Sequence, residues 1–201
     1  MLKKIITLLI IINIISFFMT GCWDKSEPES VAIVIGAGFD YIPETDKYKI
    51  IGQIANPLTM QTGPGGGGTA SKKTPYWTVS ALGHTIDEAI GNVRKKVSRL
   101  ITYNHVQVAV ISKTIVQKKG IMAIINDIKR SRQSRPLINL AITEDNVEKV
   151  LSVNIPIETT NAIGLLSQMK YTAREVGFSP LISLKTAANE LAQPGLDTGI
   201  L

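Results

Sequence analysis

The sequence of 201 residues has little of the chemistry that marks a metal site or a disulfide framework. It contains one cysteine, Cys22, so no disulfide can form within the chain. It contains two histidines, His84 and His105, and neither has a cysteine or a second histidine at the spacing of metal ligands. We therefore expect no metal ion and no internal disulfide.

Two glycine-containing segments lack the residues that nucleotide-binding motifs require. In IGAGFD a third glycine should follow Gly38 by three residues, but Tyr41 stands there. In GPGGGGTASKK, residues 69–71 separate the last glycine from Lys72, where a phosphate-binding loop has lysine at once. We interpret the first segment as a strand end whose glycines allow a tight turn. The second belongs to a mobile loop over residues 59–75.

Catalytic motifs are also lacking. No serine lies in a Gly-x-Ser-x-Gly segment. The acidic residues fall mainly at predicted helix starts or on polar helix faces, where they suit the helix dipole. No segment assembles a nucleophile, a base and a group that orients the base. The sequence predicts a protein that is not an enzyme and has no cofactor.

The charge excess is small. The chain has 22 basic and 16 acidic residues, a net charge of +6. Loss of residues 1–21 would remove Lys3 and Lys4 and leave +4. This excess does not indicate nucleic-acid binding. It suits a protein near anionic lipid, where each basic residue adds about 1 kcal/mol of attraction.

The N-terminus has the pattern of a secretory signal. Lys3 and Lys4 precede an apolar run over residues 5–19. A basic start, a short apolar run and small residues after it are typical of a signal peptide. A membrane-spanning helix needs about 20 apolar residues, and this run is shorter. A short uncleaved anchor is the alternative.

The end of this run predicts lipid attachment. Met19, Thr20, Gly21 and Cys22 resemble the bacterial lipobox, in which a small residue and glycine precede the cysteine that takes diacylglycerol. Cleavage would leave Cys22 as the new N-terminus, and two acyl chains hold a protein on a bilayer far better than one. We predict a signal peptide over 1–21 and a tether over 22–30. The alternative, a buried cysteine acting as a small hydrophobe, needs a core around it.

The middle of the chain predicts a domain over residues 31–155. Strands are expected at 31–41, 47–55, 76–83, 105–112 and 137–143, with a turn at 43–46. Helices are expected at 86–101, 114–119, 121–129 and 145–153, the first beginning with a capping box of Thr85 and Glu88. The resulting fold class is α+β (mixed α/β), a mixed sheet with helices packed on it.

Residues 156–201 carry no predicted strand. Helices are expected at 157–176 and 181–192. We interpret this part as a helical linker that begins a further domain, with a boundary near residue 155.

The densest basic stretch contains Lys129, Arg130, Arg132 and Arg135. One interpretation is a solvated helix end, where cations suit the dipole. The other is contact with anionic headgroups or an acidic partner.

Four segments together resemble one family. They are CWDKSEPESVAIVIGAGFD, YKIIGQIANP, GHTIDEAIGNVRKKVSRLITYNHVQVAVIS and GIMAIINDIKRSRQSRP. In this order they are similar to the Ger(x)C family, the lipoprotein C subunits of spore germinant receptors. The resemblance implies a truncated N-terminal portion of a non-enzymatic subunit, anchored through Cys22 on the outer face of the spore's inner membrane. It also implies integral-membrane A-type and B-type subunits as partners.

The sequence is also consistent with a second function. The same anchor and domain would suit a lipid-tethered solute-binding protein of a transporter. Such proteins usually need two lobes with a cleft between them, and only one α/β lobe is visible in the sequence.

Overall fold

The computed structural model describes residues 4–7, 9–11, 13, 30–56, 75–130, 135–153, 155, 158, 160–177 and 180–193. The chain divides into two compact units, Met1–Ser30 and Val31–Leu201. In the first unit the described residues between 4 and 13 are helical. No helix among the described residues has the length and apolar character to cross a membrane. All that follows concerns the second unit.

The second unit contains six strands and six helices within its described residues. The strands are β1 (Val31–Ile42), β2 (Lys47–Ala55), β3 (Tyr76–Gly83), β4 (Leu100–Thr102), β5 (Val108–Ser112) and β6 (Asn139–Thr143). The helices are α1 (Ile86–Lys95), α2 (Lys113–Lys119), α3 (Ile121–Arg130), α4 (Val147–Ser152), α5 (Asn161–Tyr171) and α6 (Leu184–Leu191). A short 3-10 turn, Pro43–Thr45, joins β1 to β2, and a π turn, Thr172–Val176, extends α5.

The strands form one mixed sheet in the order β3-β2-β1-β5-β6. β1 pairs antiparallel with β2, and β2 pairs antiparallel with β3. β1 pairs in parallel with β5, and β5 with β6. β4 pairs in parallel with the first residues of β1. The mixed sheet confirms the predicted fold class.

Helices cover both faces of the sheet. On one face α1, α2, α3 and α6 contribute to the larger core cluster, with Val93, Ile115, Ile125 and Leu184 among its most buried side chains. On the other face α4 and α5 form a smaller cluster with Ile51, Val108 and Val110 of the sheet. The middle of β1 and all of β5, which pair in parallel at the centre of the sheet, therefore bury both faces, as parallel strands in layered proteins do.

The predicted capping box at the start of α1 is confirmed. The Thr85 hydroxyl accepts a hydrogen bond from the Glu88 backbone nitrogen at 3.1 Å. The Glu88 carboxylate in turn accepts from the His84 backbone nitrogen at 2.7 Å. One backbone donor of the first helical turn, at Glu88, and one just before the N-cap, at His84, are thus satisfied by side chains.

The helix predicted over residues 86–101 is shorter in the structure, and the prediction for its last part is wrong. α1 ends at Lys95, and β4 follows, paired with the start of β1. Val97 and Ile101, which helical spacing placed on the apolar face, do pack on the core. They reach it from a loop and a strand, because apolar spacing in a short segment reports burial without separating helix from strand.

The glycines of IGAGFD do not end a strand, so that interpretation is corrected. Gly36 and Gly38 lie in the middle of β1, under the second helical layer, which consists of α4 and α5. A Cβ added at Gly36 would lie 2.7 Å from the Ala162 Cβ, and one at Gly38 would lie 2.6 Å from a Val147 methyl. The absence of side chains lets α4 and α5 approach β1 closely.

A buried glutamine joins this second layer to the sheet. Gln53 of β2 is fully buried, and its side-chain nitrogen donates to the Leu151 carbonyl at 2.6 Å. Its side-chain oxygen accepts from the Ala162 backbone nitrogen at 2.8 Å, in the first turn of α5. The Leu151 carbonyl also accepts from the Asn161 side chain at 3.0 Å. We call these four residues the Gln53 junction.

The helices after residue 155 pack on this same sheet. α5 begins at the Gln53 junction, and α6 buries Leu184 and Ala187 in the larger cluster. Just before α6, Ser183 forms a bridge with Asn139 of β6, so this segment also touches the sheet edge. Val31–Leu201 cluster as one compact unit. The boundary near residue 155, where a further domain would begin, stays a prediction.

Candidate functional site

Three of the five predicted site residues can be placed. Lys129, Arg130 and Arg135 belong to the described part of the chain. Cys22 and Arg132 lie outside the described residues, as does most of the glycine-rich loop predicted over residues 59–75. The lipid anchor at Cys22 therefore stays a prediction.

The basic end of α3 is solvent-exposed, while the helix packs by its other face. Ile124, Ile125 and Ile128 are buried in the larger core cluster. Arg130 forms an ion pair with Asp127, one turn back on the same helix. The Arg130 side chain is 76% exposed, and exposed pairs of this kind contribute little to stability. This pair offsets the charge of Arg130, so the neighbouring cations determine the charge of the surface.

Tertiary packing adds a lysine that sequence reasoning missed. The backbone nitrogen of Lys185, in the first turn of α6, donates a hydrogen bond to the Pro136 carbonyl at 3.0 Å. Lys129, Pro136 and Lys185 line one shallow depression of about 190 Å³. No local signal in the sequence could have joined Lys185 to Lys129, because α6 reaches α3 only through the fold.

Lys129, Arg135 and Lys185 form what we call the basic surface. Among the described residues, none of these three cations has an acidic partner in an ion pair. Arg135 is exposed at the start of the turn that leads to β6, where its carbonyl accepts from the Ile138 nitrogen at 3.3 Å. Such a surface attracts anionic headgroups or acidic side chains over about a Debye length.

In a second charged cluster, at the β1–β2 turn, the side chains form hydrogen bonds with one another. Asp46 accepts hydrogen bonds from the Tyr41 hydroxyl at 2.7 Å and from Lys119 at 3.0 Å. The Lys119 ammonium also lies 4.5 Å from the centre of the Tyr41 ring. The bond from Tyr41, and then that from Lys119, hold the pKa of Asp46 below its usual value. This cluster ties the turn to α2 and leaves little for a ligand to bind.

Glu148 of α4 makes a similar internal contact across the second layer. Its carboxylate pairs with Lys49 of β2 and accepts from the Ser80 hydroxyl at 3.0 Å. The hydrogen bond from Lys49 lowers the pKa of Glu148, although burial acts in the opposite direction. Within the described part of the chain, no group of three or more acidic, histidine or cysteine side chains could hold a metal ion.

Comparison with known proteins identifies relatives for nearly the whole chain. The family model described as spore germination protein N-terminal domain matches residues 24–201. The putative spore germination protein YfkR of Bacillus subtilis (strain 168) is 30% identical over 159 residues, which cover 78% of this chain and 40% of that protein. Spore germination protein KC of the same organism is 25% identical over 191 residues, covering 94% and 46%.

A third relative, spore germination protein A3 of Bacillus subtilis (strain 168), is 24% identical over 142 residues, covering 70% of this chain and 36% of that protein. The chain thus matches less than half the length of each of these curated relatives. No solved structure matches the chain significantly.

Proposed function

The chain belongs to the family of the spore germination protein N-terminal domain, the Ger(x)C family, and from this premise we propose that it acts in spore germination as a membrane-anchored subunit of a nutrient germinant receptor. One observation carries this proposal. The family match begins at residue 24, two residues after Cys22, where the lipobox-like segment ends. An anchor motif and a germination-family domain are therefore contiguous in one chain.

Cys22 would fix the domain at the outer face of the membrane through two acyl chains. The tether over residues 22–30 is nine residues long and spans at most about 30 Å when fully extended. Such tethering raises the concentration of the domain beside membrane partners without any new contact. The partners in this proposal are the integral-membrane A-type and B-type subunits, and the role is one of binding without catalysis.

The basic surface supplies a contact in this arrangement. Each cation near an anionic membrane contributes about 1 kcal/mol of attraction, so Lys129, Arg135 and Lys185 together would orient the anchored domain. Arg132, from the same basic stretch, adds to this charge in the sequence.

The anchor is tested by the intact mass of the membrane-associated protein, made in a bacterium that processes lipoproteins. We expect a chain that starts at Cys22 and carries a diacylglycerol adduct. Cys22→Ala should leave the membrane fraction while its thermal unfolding stays unchanged. An unmodified chain that retains residues 1–21 would contradict the anchor.

The germination role is tested in spores of the native host from which redundant receptors have been deleted. Deletion of the gene should abolish the response to at least one nutrient, and the unaltered gene should restore it. Cys22→Ala should restore it poorly. Unchanged germination with every nutrient after deletion would refute the proposal.

The basic surface is tested by flotation with vesicles that contain phosphatidylglycerol. The double variant Lys129→Gln, Lys185→Gln should bind these vesicles less than the unaltered chain does. Lys118→Gln, which removes an exposed lysine from α2, serves as the charge control. Equal binding by the double variant and the unaltered chain would remove the basic surface from the proposal.

A further inference from the structure

A cavity of about 690 Å³ lies on the sheet face between α1 and α3. Its floor is formed by β1 and β2, where Phe39 and Ile50 are buried side chains. Its walls include Val93 of α1 and Ile128 of α3. Pockets for small molecules have volumes of roughly 300–1,000 Å³ and are mostly apolar with a few polar groups. This cavity has both properties.

A glycine in the floor enlarges the cavity. Gly52 lies in the middle of β2, where glycine weakens a strand by roughly 0.5–1 kcal/mol relative to alanine. A Cβ built at Gly52 would lie 3.8 Å from a Val79 methyl and 3.9 Å from a Val34 methyl, which are ordinary contact distances. A side chain would therefore fit here, and its absence leaves space at the centre of the cavity floor.

Four charged residues line the cavity, two from each helix. Asp87 and Arg94 belong to α1, and Asp127 and Arg130 belong to α3. Arg130 is paired with Asp127. Asp87 lies in the first turn of α1, where the helix dipole stabilises a negative charge. The ion pair and the helix dipole therefore offset three of the four charges.

Arg94 is the remaining charge, and it lies beside a second hydrogen-bond donor. Among the described residues Arg94 forms no ion pair, and it lines the cavity together with Tyr103. Burial raises the pKa of Tyr103, and the guanidinium opposes that rise, so the phenol keeps its proton at neutral pH. A guanidinium and a phenol side by side form a site for an oxygen acceptor, and carboxylates make the strongest such bonds.

We propose that this cavity binds a small amphipathic anion, whose apolar body lies on Phe39, Ile50 and Gly52 and whose carboxylate is held by Arg94 and Tyr103. The site goes beyond the receptor role proposed above and does not depend on it, because it is a property of the folded domain. Desolvated apolar burial supplies most of the affinity, and the charged end determines the orientation.

The test uses titration calorimetry on the full 201-residue chain in a non-ionic detergent, with water-soluble phenylpropionate as the probe. The neutral isostere phenylpropanamide and the cation phenylpropylamine are the matched ligands. We expect the carboxylate to bind about tenfold more tightly than the amide, since only the carboxylate brings a negative charge to the Arg94 guanidinium, so that donor and acceptor are both ionised. The cation should bind most weakly. No binding of the carboxylate at millimolar concentration would overturn the proposal.

Two variants locate the binding. Arg94→Gln should abolish the preference for carboxylate over amide, whereas Arg99→Gln, which removes a nearby exposed arginine outside the cavity, should preserve it. Gly52→Val should fill the cavity floor and lower the affinity for both the carboxylate and the amide at least tenfold, without lowering the temperature of unfolding. Undiminished binding by a folded Gly52→Val chain would show that the probe lies elsewhere and would refute the proposal.

Discussion

The replacement Gln53→Met removes the side-chain amide that joins β2 to α4 and α5. Methionine is similar to glutamine in length and volume, so the change tests the two hydrogen bonds with little effect on packing. Gln53 is fully buried, which means that water cannot replace the lost partners without entering the core.

The magnitude follows from what each partner retains. The Leu151 carbonyl still accepts from Asn161, so its loss is about 1 kcal/mol. The Ala162 nitrogen becomes a buried donor with no other partner among the described residues, which costs about 1–3 kcal/mol. Methionine offsets roughly 1 kcal/mol through its apolar surface. The expected net loss is about 2 kcal/mol, or roughly 4–8 °C in the temperature of unfolding.

Urea unfolding followed by circular dichroism measures this loss, and hydrogen exchange of the α5 amides locates it. Gln117→Met makes the same chemical change at an exposed position of α2 and should alter stability by less than about 0.5 kcal/mol. An unchanged urea midpoint for Gln53→Met, with an unchanged slope, would refute the reasoning. Loss of stability without faster exchange in α5 would also contradict it.

Three other changes have expected outcomes. Gly83→Ala should destabilise the folded domain by about 1–3 kcal/mol, because the added Cβ would lie 2.4 Å from a backbone nitrogen of α1. Gly91→Ala should stabilise it by up to about 1 kcal/mol, because a Cβ there would have no atom within 4 Å. Thermal unfolding of both variants measures the two effects, and equal shifts in the unfolding temperature would contradict the packing at Gly83. Thr85→Ala should cost about 1 kcal/mol through loss of the helix cap, and Thr85→Ser should retain most of it in the same assay. The pKa of Glu148 is lower in the folded state than its ordinary value of 4.5. Ionised Glu148 therefore stabilises the folded state at pH values above 4.5, and this stabilisation is lost as the pH falls through the folded-state pKa. Urea unfolding between about pH 6 and 3 should show a decline of at most about 1 kcal/mol from this group that Glu148→Gln lacks, and identical profiles would exclude it.

Local signals in the sequence predicted most of the sheet. The strands at 47–55 and 76–83 have the predicted bounds, and the capping box at Thr85 begins its helix as expected. These features depend on neighbouring residues, such as alternating apolar side chains or a hydroxyl three residues before an acid. Interactions of this kind are visible in one stretch of chain.

Features that depend on distant partners could not be predicted in this way. The glycines at 36 and 38 have a meaning only once α4 and α5 are seen to lie over them. Lys185 joins Lys129 through packing of α6, and the cavity above Gly52 exists only between helices that are far apart in sequence. The lipid anchor at Cys22 and the contact role of Arg132 stay predictions, because both residues lie outside the described part of the chain.

The central position of β1 has a consequence for the order in which the domain folds. β1, β2 and β3 are consecutive antiparallel strands, so they can pair soon after synthesis of residue 83. From Gly36 onward the other edge of β1 stays open until β5, because Gly36 pairs with Val108, a partner 72 residues further along the chain. Long-range parallel pairing forms slowly, and an open aliphatic edge invites pairing between chains in the interval. The nascent domain therefore depends on rapid arrival of β5, and we expect refolding from denaturant to lose yield steeply as protein concentration rises.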